Sequence, residues 1–223
     1  MGSRGPKPKC TVDTTWSPDL AYAIGLIASD GCLSNKGNII DLTSKDREQL
    51  ENYLMCLRID KKIGTKKGSG DRCYFRVQFR SVLFYEFLVE IGLFPNKSKI
   101  LKEVKIPVKY FFDFLRGFFD GDGCVYSYWD RRWKSSFMFY LSFTSASPDF
   151  VNWLKEKLKD LVGVNGHLDL SHSKDGAGFQ QLKYAKKESM IILKKMYLNK
   201  KSISLSRKYL KAKKILAIVG EKI

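Results

Sequence analysis

Histidine is nearly missing from this chain, with two in 223 residues, and its five cysteines (Cys10, Cys32, Cys56, Cys73 and Cys124) form no C-x-x-C pair. That scarcity argues against a zinc site, and the scattered thiols argue against a disulfide framework. No apolar run approaches the roughly 18 residues of a membrane-spanning helix, and no apolar core of a secretory leader follows the N-terminus. The expectation is a soluble intracellular protein with no membrane partner. Negative charge is also short: 23 Asp and Glu stand against 40 Lys and Arg, a formal net charge of +17. Such an excess favours a polyanionic partner, with nucleic acid the leading candidate. What is plentiful is apolar material, 44% hydrophobic and 13% aromatic, which can build the core of one or two compact units.

One pattern occurs twice. Residues 24–32 read I-G-L-I-A-S-D-G-C and residues 116–124 read R-G-F-F-D-G-D-G-C, which puts Asp30 and Asp122 in equivalent places. Each closes a short apolar stretch, Leu20 to Ile27 or Phe111 to Phe119, that reads as a helix ended by Gly31 or Gly123. Small residues let two helices approach closely, so the pair could bring both carboxylates side by side. Adjacent carboxylates repel, and hard divalent cations such as Mg²⁺ relieve that repulsion with oxygen ligands.

The flanks repeat too. After Asp30 come a hairpin (33–44, turn at 35–38), a helix from Asp46 to about Leu57, strands near Ile63–Lys67 and Cys73–Arg80 joined by 68–71, and a helix from about Ser81 to Ile91. After Asp122 the order returns as strands near Val125–Asp130 and Ser135–Thr144, a helix from Pro148 to about Val162, strands near His167–Ser173 and Phe179–Tyr184, and a helix from Lys186 to Met196. Leu42-Thr43-Ser44 matches Phe143-Thr144-Ser145, and Val77, Phe79 and Leu88 match Leu182, Tyr184 and Leu193 at a constant offset of 105. The aspartates are offset by only 92, so the first hairpin of the second half must be longer. The expected organisation is an α+β fold of two pseudo-symmetric αββαββα halves: a basic tail (1–15), a first half (16–101), a linker (102–110, broken at Ile106-Pro107) and a second half (111–223). Lys208 to Ile218 reads as a basic amphipathic helix packed on the second half.

Strand alternation separates a core face from a working face. In 137–144 the odd positions are large and apolar, while Met138, Tyr140, Ser142 and Thr144 point the other way. In 74–80, Phe75, Val77 and Phe79 face inward and leave Arg76, Gln78 and Arg80 together outside. Arg suits guanine and Gln suits adenine in the major groove, which a two-stranded ribbon can enter. An ordinary solvated sheet face is the competing reading. Trp129 and Trp133, at a hairpin tip, either touch DNA or cap the sheet edge; His167 and His172 read as surface polar residues, and Arg4 to Lys9 as a basic tail.

These motifs resemble the LAGLIDADG homing endonucleases (meganucleases) in their single-chain, two-motif form. Leu115 to Gly123 is close to the family consensus; Ala23 to Gly31 is a weaker copy with Ala28 in place of the first Asp. The T-S segments, the G-L-F-P-N-K run at 92–97 and the repeat order carry the resemblance over nearly the whole chain.

The resemblance implies that Asp30 and Asp122 bind Mg²⁺ (or Mn²⁺ or Ca²⁺), with the adjacent backbone carbonyls of Ser29 and Gly121, and that Lys97 and Lys201 are the catalytic basic residues of the two halves, offsetting charge on the phosphate. Asp46 and Ser147 match a position that often orders a water. The implied activity is phosphodiester hydrolysis on both strands of a long double-stranded DNA site, across the minor groove, leaving 3′ overhangs and initiating intron or gene mobility. A monomer is expected. Candidate DNA-reading residues are Lys36, Asp41, Arg76, Gln78, Arg80, Tyr126, Tyr128, Arg132, Lys134, Tyr140, Ser142 and Gln181. The alternatives are an RNA maturase assisting intron splicing and a non-enzymatic DNA-binding regulator, which retention of both aspartates disfavours.

Overall fold

The computed structural model describes residues 12–68, 72–133, 135–172, 178–199 and 201–223. The basic tail at 4–9, the tip of the 68–71 turn, Ser173 and Lys134 therefore lie outside the described residues. Helix α1 (Pro18–Asp30) begins where the Ser17 side chain accepts a hydrogen bond from the Leu20 N–H at 3.1 Å, with Pro18 in the first turn. Its counterpart α4 (Phe111–Asp122) follows a short 3-10 turn at Val108–Tyr110.

Both helices end at the glycines that the sequence suggested, but not through a left-handed cap. A terminating glycine often takes the left-handed conformation, yet Gly31 (φ −80°) and Gly123 (φ −93°) are extended. They are glycines for space: a Cβ on Gly31 would lie 2.6 Å from the Ile27 Cα, and one on Gly123 2.3 Å from the Phe119 ring. The chain consequently runs straight from each helix into a strand, which ties each terminal Asp rigidly to a sheet.

Each half holds a four-stranded antiparallel sheet. The first comprises β1 (Gly31–Ser34), β2 (Ile39–Ser44), β3 (Gly64–Lys67) and β4 (Cys73–Arg80) in the order β1-β2-β4-β3. The second comprises β5 (Gly123–Trp129), β6 (Phe137–Ser145), β7 (His167–His172) and β8 (Gly178–Tyr184) in the order β5-β6-β8-β7. The loop of the first hairpin is 35–38 and that of the second is 130–136, and β5 and β6 outlast β1 and β2, so the extra residues of the second half do fall in its first hairpin. Helices α2 (Arg47–Leu57) and α3 (Val82–Glu90) complete the first half; α5 (Pro148–Val162), α6 (Lys186–Met196) and α7 (Ser206–Ile218) complete the second.

The alternation holds. Val77 and Phe79 of β4, and Phe139, Leu141 and Phe143 of β6, are buried, and Phe118 meets Phe150 at a ring-centroid distance of 4.9 Å. Between the halves the contact is helix on helix. A Cβ on Gly25 would fall 2.1 Å from the Phe114 carbonyl oxygen, and one on Gly117 would fall 2.0 Å from that of Tyr22. The near-equality of these approaches, at the same offset of 92 that relates the aspartates, defines a local two-fold between α1 and α4.

Candidate active site and nucleic-acid face

That two-fold sets Ser29 against Gly121. A side chain at 121 would strike Ser29 Oγ at 1.9 Å and Asp30 Oδ2 at 2.8 Å, so the close approach of the two helix ends needs glycine there. Asp30 and Asp122 emerge on either side of this contact. Burial raises the pKa of Asp30; burial, then the charge of Asp30, pushes Asp122 up to about 6. Two carboxylates of raised proton affinity, near enough for the charge of Asp30 to act on Asp122, form a site that calls for positive charge.

Two lysines answer it. Lys97 is buried and its ammonium donates to the Gly31 carbonyl, one residue beyond Asp30. In the second half the equivalent carbonyl, that of Gly123, accepts from Lys208 at 2.7 Å. Lys208 also donates to the carbonyls of Phe119 (2.6 Å) and Gly121 (3.0 Å). Both ammonium groups lower the pKa values of Asp30 and Asp122, while burial lowers their own. This corrects the expectation for Lys201: it sits exposed in a turn, and Lys208, seven residues later on α7, reaches the aspartates. The N-K-S and K-K-S segments are alike in sequence, but Lys97 is folded against its helix end and Lys201 is exposed.

The segment that delivers Lys208 is fastened to both halves. The Ile203 carbonyl accepts from Arg116 and the Ser204 carbonyl from Asn52 of α2, while the Leu205 N–H donates to Asp120 at 2.7 Å. Ser206 donates to Glu48, and Arg207 makes a forked pair with Asp46 at 2.7–3.1 Å. Asp120, which stands where the first motif has Ala28, is buried, accepts from Tyr22 Oη at 2.7 Å, and is pushed up to about 6 by burial.

The two positions matched as water-ordering differ from that expectation. The Asp46 carboxylate is engaged by Arg207, whose hydrogen bonds hold its pKa below the usual range. Ser147 is completely buried and its hydroxyl donates to the Leu101 carbonyl, so it does not face the site. The polar group that does reach an aspartate is Gln49, whose Nε2 donates to Asp30 Oδ2 at 2.7 Å while its Oε1 accepts from Ser44 at 2.9 Å. Gln49 was not singled out from sequence; its signal was its place one turn into α2, just after the T-S segment. Asp30, Asp46, Gln49, Tyr74, Asp120 and Arg207 border a cleft of about 300 Å³.

The outward sheet faces carry most of the candidate DNA-reading residues. On the first, Asp41 lies opposite Gln78, pairs with Arg76 and accepts from Gln78 Nε2 at 3.3 Å, so three of the readers form one network; Arg80 and Lys36 are exposed beyond it. On the second, Tyr140 stacks between Tyr126 (5.3 Å) and Tyr128 (6.2 Å), with Gln181 on β8 half-buried. Arg132 is exposed in the hairpin loop beside Asp130, at 3.5 Å. Ser142 is a correction: it is 4% exposed and its hydroxyl turns to the Cys124 carbonyl at 3.4 Å, so it presents nothing to a groove. Trp129 packs on Phe137 at 5.0 Å, whereas Trp133 is 70% exposed.

Comparison with known proteins matches this arrangement. The profile of the LAGLIDADG-like domain family covers residues 111–196. Most of the chain is similar in fold to the homing endonuclease I-WcaI bound to its DNA recognition sequence (TM-score 0.60, 16% identity, 90% of this chain and 88% of that one) and to the I-LtrWI LAGLIDADG homing endonuclease bound to target DNA (0.60, 14%, 91% and 91%). It also superposes on full-length DUF199/WhiA from Thermatoga maritima (0.56, 15%), covering 93% of this chain but only 63% of that protein. At these identities the likeness is one of fold, and WhiA, which is not described as an endonuclease, keeps the fold from deciding the activity. No curated protein sequence matches the chain significantly.

The helix pair suits a hard cation in one respect: both carboxylates have a raised proton affinity where the two helices end. Among the described residues no group of three or more His, Cys, Asp or Glu comes together in a way that could hold a metal ion. The Gly121 carbonyl already accepts from Lys208, which leaves the two helix ends differently equipped. Among the described residues no helix is long and apolar enough to cross a membrane.

Proposed function

We propose that this chain is a site-specific, divalent-metal-dependent endonuclease of double-stranded DNA, acting as a monomer and cutting across the minor groove to leave 3′ overhangs in the manner of the homing endonucleases. The observation that carries the reading is the meeting of Asp30 and Asp122 at the ends of α1 and α4, between two sheets, with the buried ammonium groups of Lys97 and Lys208 on either side. Asp30 and Asp122 would hold Mg²⁺, with the Ser29 carbonyl available beside them. The bound ion supplies Lewis acidity and an activated water for attack on phosphorus.

The chain's own groups do the rest. Gln49 fixes the Asp30 carboxylate, and the lysines offset negative charge building on the phosphate. The Arg76–Asp41–Gln78 network and the tyrosine stack lie on the faces turned toward a duplex saddled by the sheets. The net charge of +17 supports phosphate contacts and a steep salt dependence of binding.

The test is selection of cleavable sites from a randomised duplex library in Mg²⁺, followed by Asp30→Asn and Asp122→Asn. Both variants keep DNA affinity and lose cleavage. Full cleavage by either one sinks the active-site assignment; binding without cleavage by the wild type, on every selected site, points instead to a DNA-binding regulator, and tight binding to structured RNA alone to a maturase.

A further inference from the structure

We propose that Leu198 and the two grooves it divides form a docking surface, remote from the aspartates, for an acidic protein segment that carries a pair of apolar anchors. The endonuclease reading enters only in saying where the duplex lies; the surface itself belongs to neither sheet.

Helices α1 and α4 run side by side, and each places its aspartate at its C-terminal end. Their first turns, with Pro18 and Phe112, meet the C-terminal end of α6 in a groove of about 320 Å³. At a rise of about 1.5 Å per residue, the 13 residues of α1 and the 12 of α4 put this groove roughly 18–20 Å from Asp30 and Asp122. A second groove, of about 300 Å³, opens between Tyr197 and the residues that follow α7, Lys222 and Ile223. Leu198 borders both grooves and is 79% exposed, more than any other large apolar side chain among the described residues.

An exposed leucine by itself is ordinary, but one standing between two hollows lined by apolar groups is not. Met196 and Tyr197 are buried, and Phe112 and Ile223 are half-buried. Leu198 is thus a ridge between two holes, a shape that a partner fills with one apolar side chain on each side. The rim is basic. Lys109, Lys195 and Lys222 are exposed and make no ion pair among the described residues, while Lys194 pairs with Glu221 at 2.6 Å. Among the described residues the one acid lining either groove, Asp113, is engaged by Arg116 at 2.8 Å.

That combination selects the occupant. A second copy of the chain would bring lysine to lysine. A nucleic acid would answer the lysines but leave Leu198 without an apolar partner, and no aromatic ring of either groove is exposed for a base to stack on. An anionic bilayer would answer the lysines too, but it has no side chains of fixed shape to enter two hollows. An acidic segment with paired apolar side chains meets the lysines, the ridge and both hollows together. Because the surface lies at the far ends of α1 and α4 from the aspartates, such a partner can be held while a duplex is bound.

The experiment selects a displayed library of randomised peptides on the full chain, with excess non-cognate duplex present so that the sheets do not simply collect acidic peptides. The recovered peptides are expected to carry Asp and Glu around a pair of apolar positions. Leu198→Ser removes the apolar side chain without adding charge; it should weaken their binding at least about tenfold, with duplex affinity and melting temperature unchanged. Lys195→Ala combined with Lys222→Ala should weaken it about threefold or more and flatten its salt dependence. Peptides that bind Leu198→Ser as tightly as wild type, or that keep their affinity when their apolar positions become Ser, overturn the proposal and leave only general attraction to a chain of charge +17. Recovery of no Leu198-sensitive peptide overturns it as well. So does Leu198-dependent binding of a hairpin RNA or of phosphatidylserine vesicles in place of peptide, which would make the occupant a nucleic acid or a membrane. None of these measurements uses cleavage, so the endonuclease reading stands or falls by its own test.

Discussion

Gly117→Ala adds one methyl group where the fold has none to spare. On the surface of a helix this change stabilises by about 0.4–1 kcal/mol through propensity and chain entropy. Here the new Cβ would lie 2.0 Å from the Tyr22 carbonyl oxygen and 2.9 Å from its carbon. Ordinary contact for such a pair is about 3.5 Å, so α1 and α4 must separate by about 1 Å or more, because backbone cannot rotate away as a side chain can. Overpacking of this kind costs typically 1–3 kcal/mol and sometimes more, which reverses the sign expected from propensity. The same separation displaces Asp30 from Asp122, and a misplacement of about 1 Å is enough to lower a reaction rate by about 10²-fold. Urea denaturation and Mg²⁺-dependent cleavage of one selected duplex measure the two consequences on one preparation. Gly25→Ala, whose Cβ would lie 2.1 Å from the Phe114 oxygen, should behave alike, and the double variant should lose less than the sum, since the first methyl opens the gap that the second enters. A Gly117→Ala protein that melts higher than wild type and cleaves normally would refute the close helix crossing and the site built on it.

Cleavage should also fall as the pH drops through about 6, since Asp122, pushed up to about 6, must be ionised to hold a cation. Without metal the sign for stability is opposite: a carboxyl whose folded pKa is raised keeps more protons in the native state, so stability declines as pH rises from about 4 to 6. The rise from 3.8 to about 6 corresponds to about 3 kcal/mol, but Asp122 is open to solvent on its outer side and screening reduces this to about 1 kcal/mol, a gain that Asp122→Asn should show at pH 8 and lose at pH 4. Lys208→Met strands three buried carbonyls and should lower both cleavage and melting temperature, while Lys201→Met, in an exposed turn, should alter neither; the converse pattern would restore Lys201 to the site.

The repeat was legible because it is written in local terms. Gly25 and Gly117, the terminal aspartates, the T-S segments and the alternating strands are each signals spanning a few residues, and an offset of 92 in one place and 105 in another located the longer hairpin. Lys97 was legible for the same reason, lying directly after the last helix of its half. Lys201 misled because a local motif was repeated without its environment: the chain folds N-K-S against Gly31 but leaves Lys201 outside, and brings Lys208 to Gly123 from a helix with no counterpart in the first half. Ser142 misled because alternation gives the side of a sheet and not the depth at which a small hydroxyl finds a carbonyl.

Taken alone, the sequence determined the halves, the identity of the paired acids and the basic, strand-borne faces, because periodicity and helix-terminal chemistry act between neighbours in the chain. The tertiary structure decided which groups serve those acids. Gln49 reaches Asp30 from 19 residues along the chain, and Lys208 reaches the carbonyl next to Asp122 from 86 residues beyond that aspartate. Such partnerships depend on where helices cross and where a returning segment is fastened, and these are fixed by packing over the whole chain.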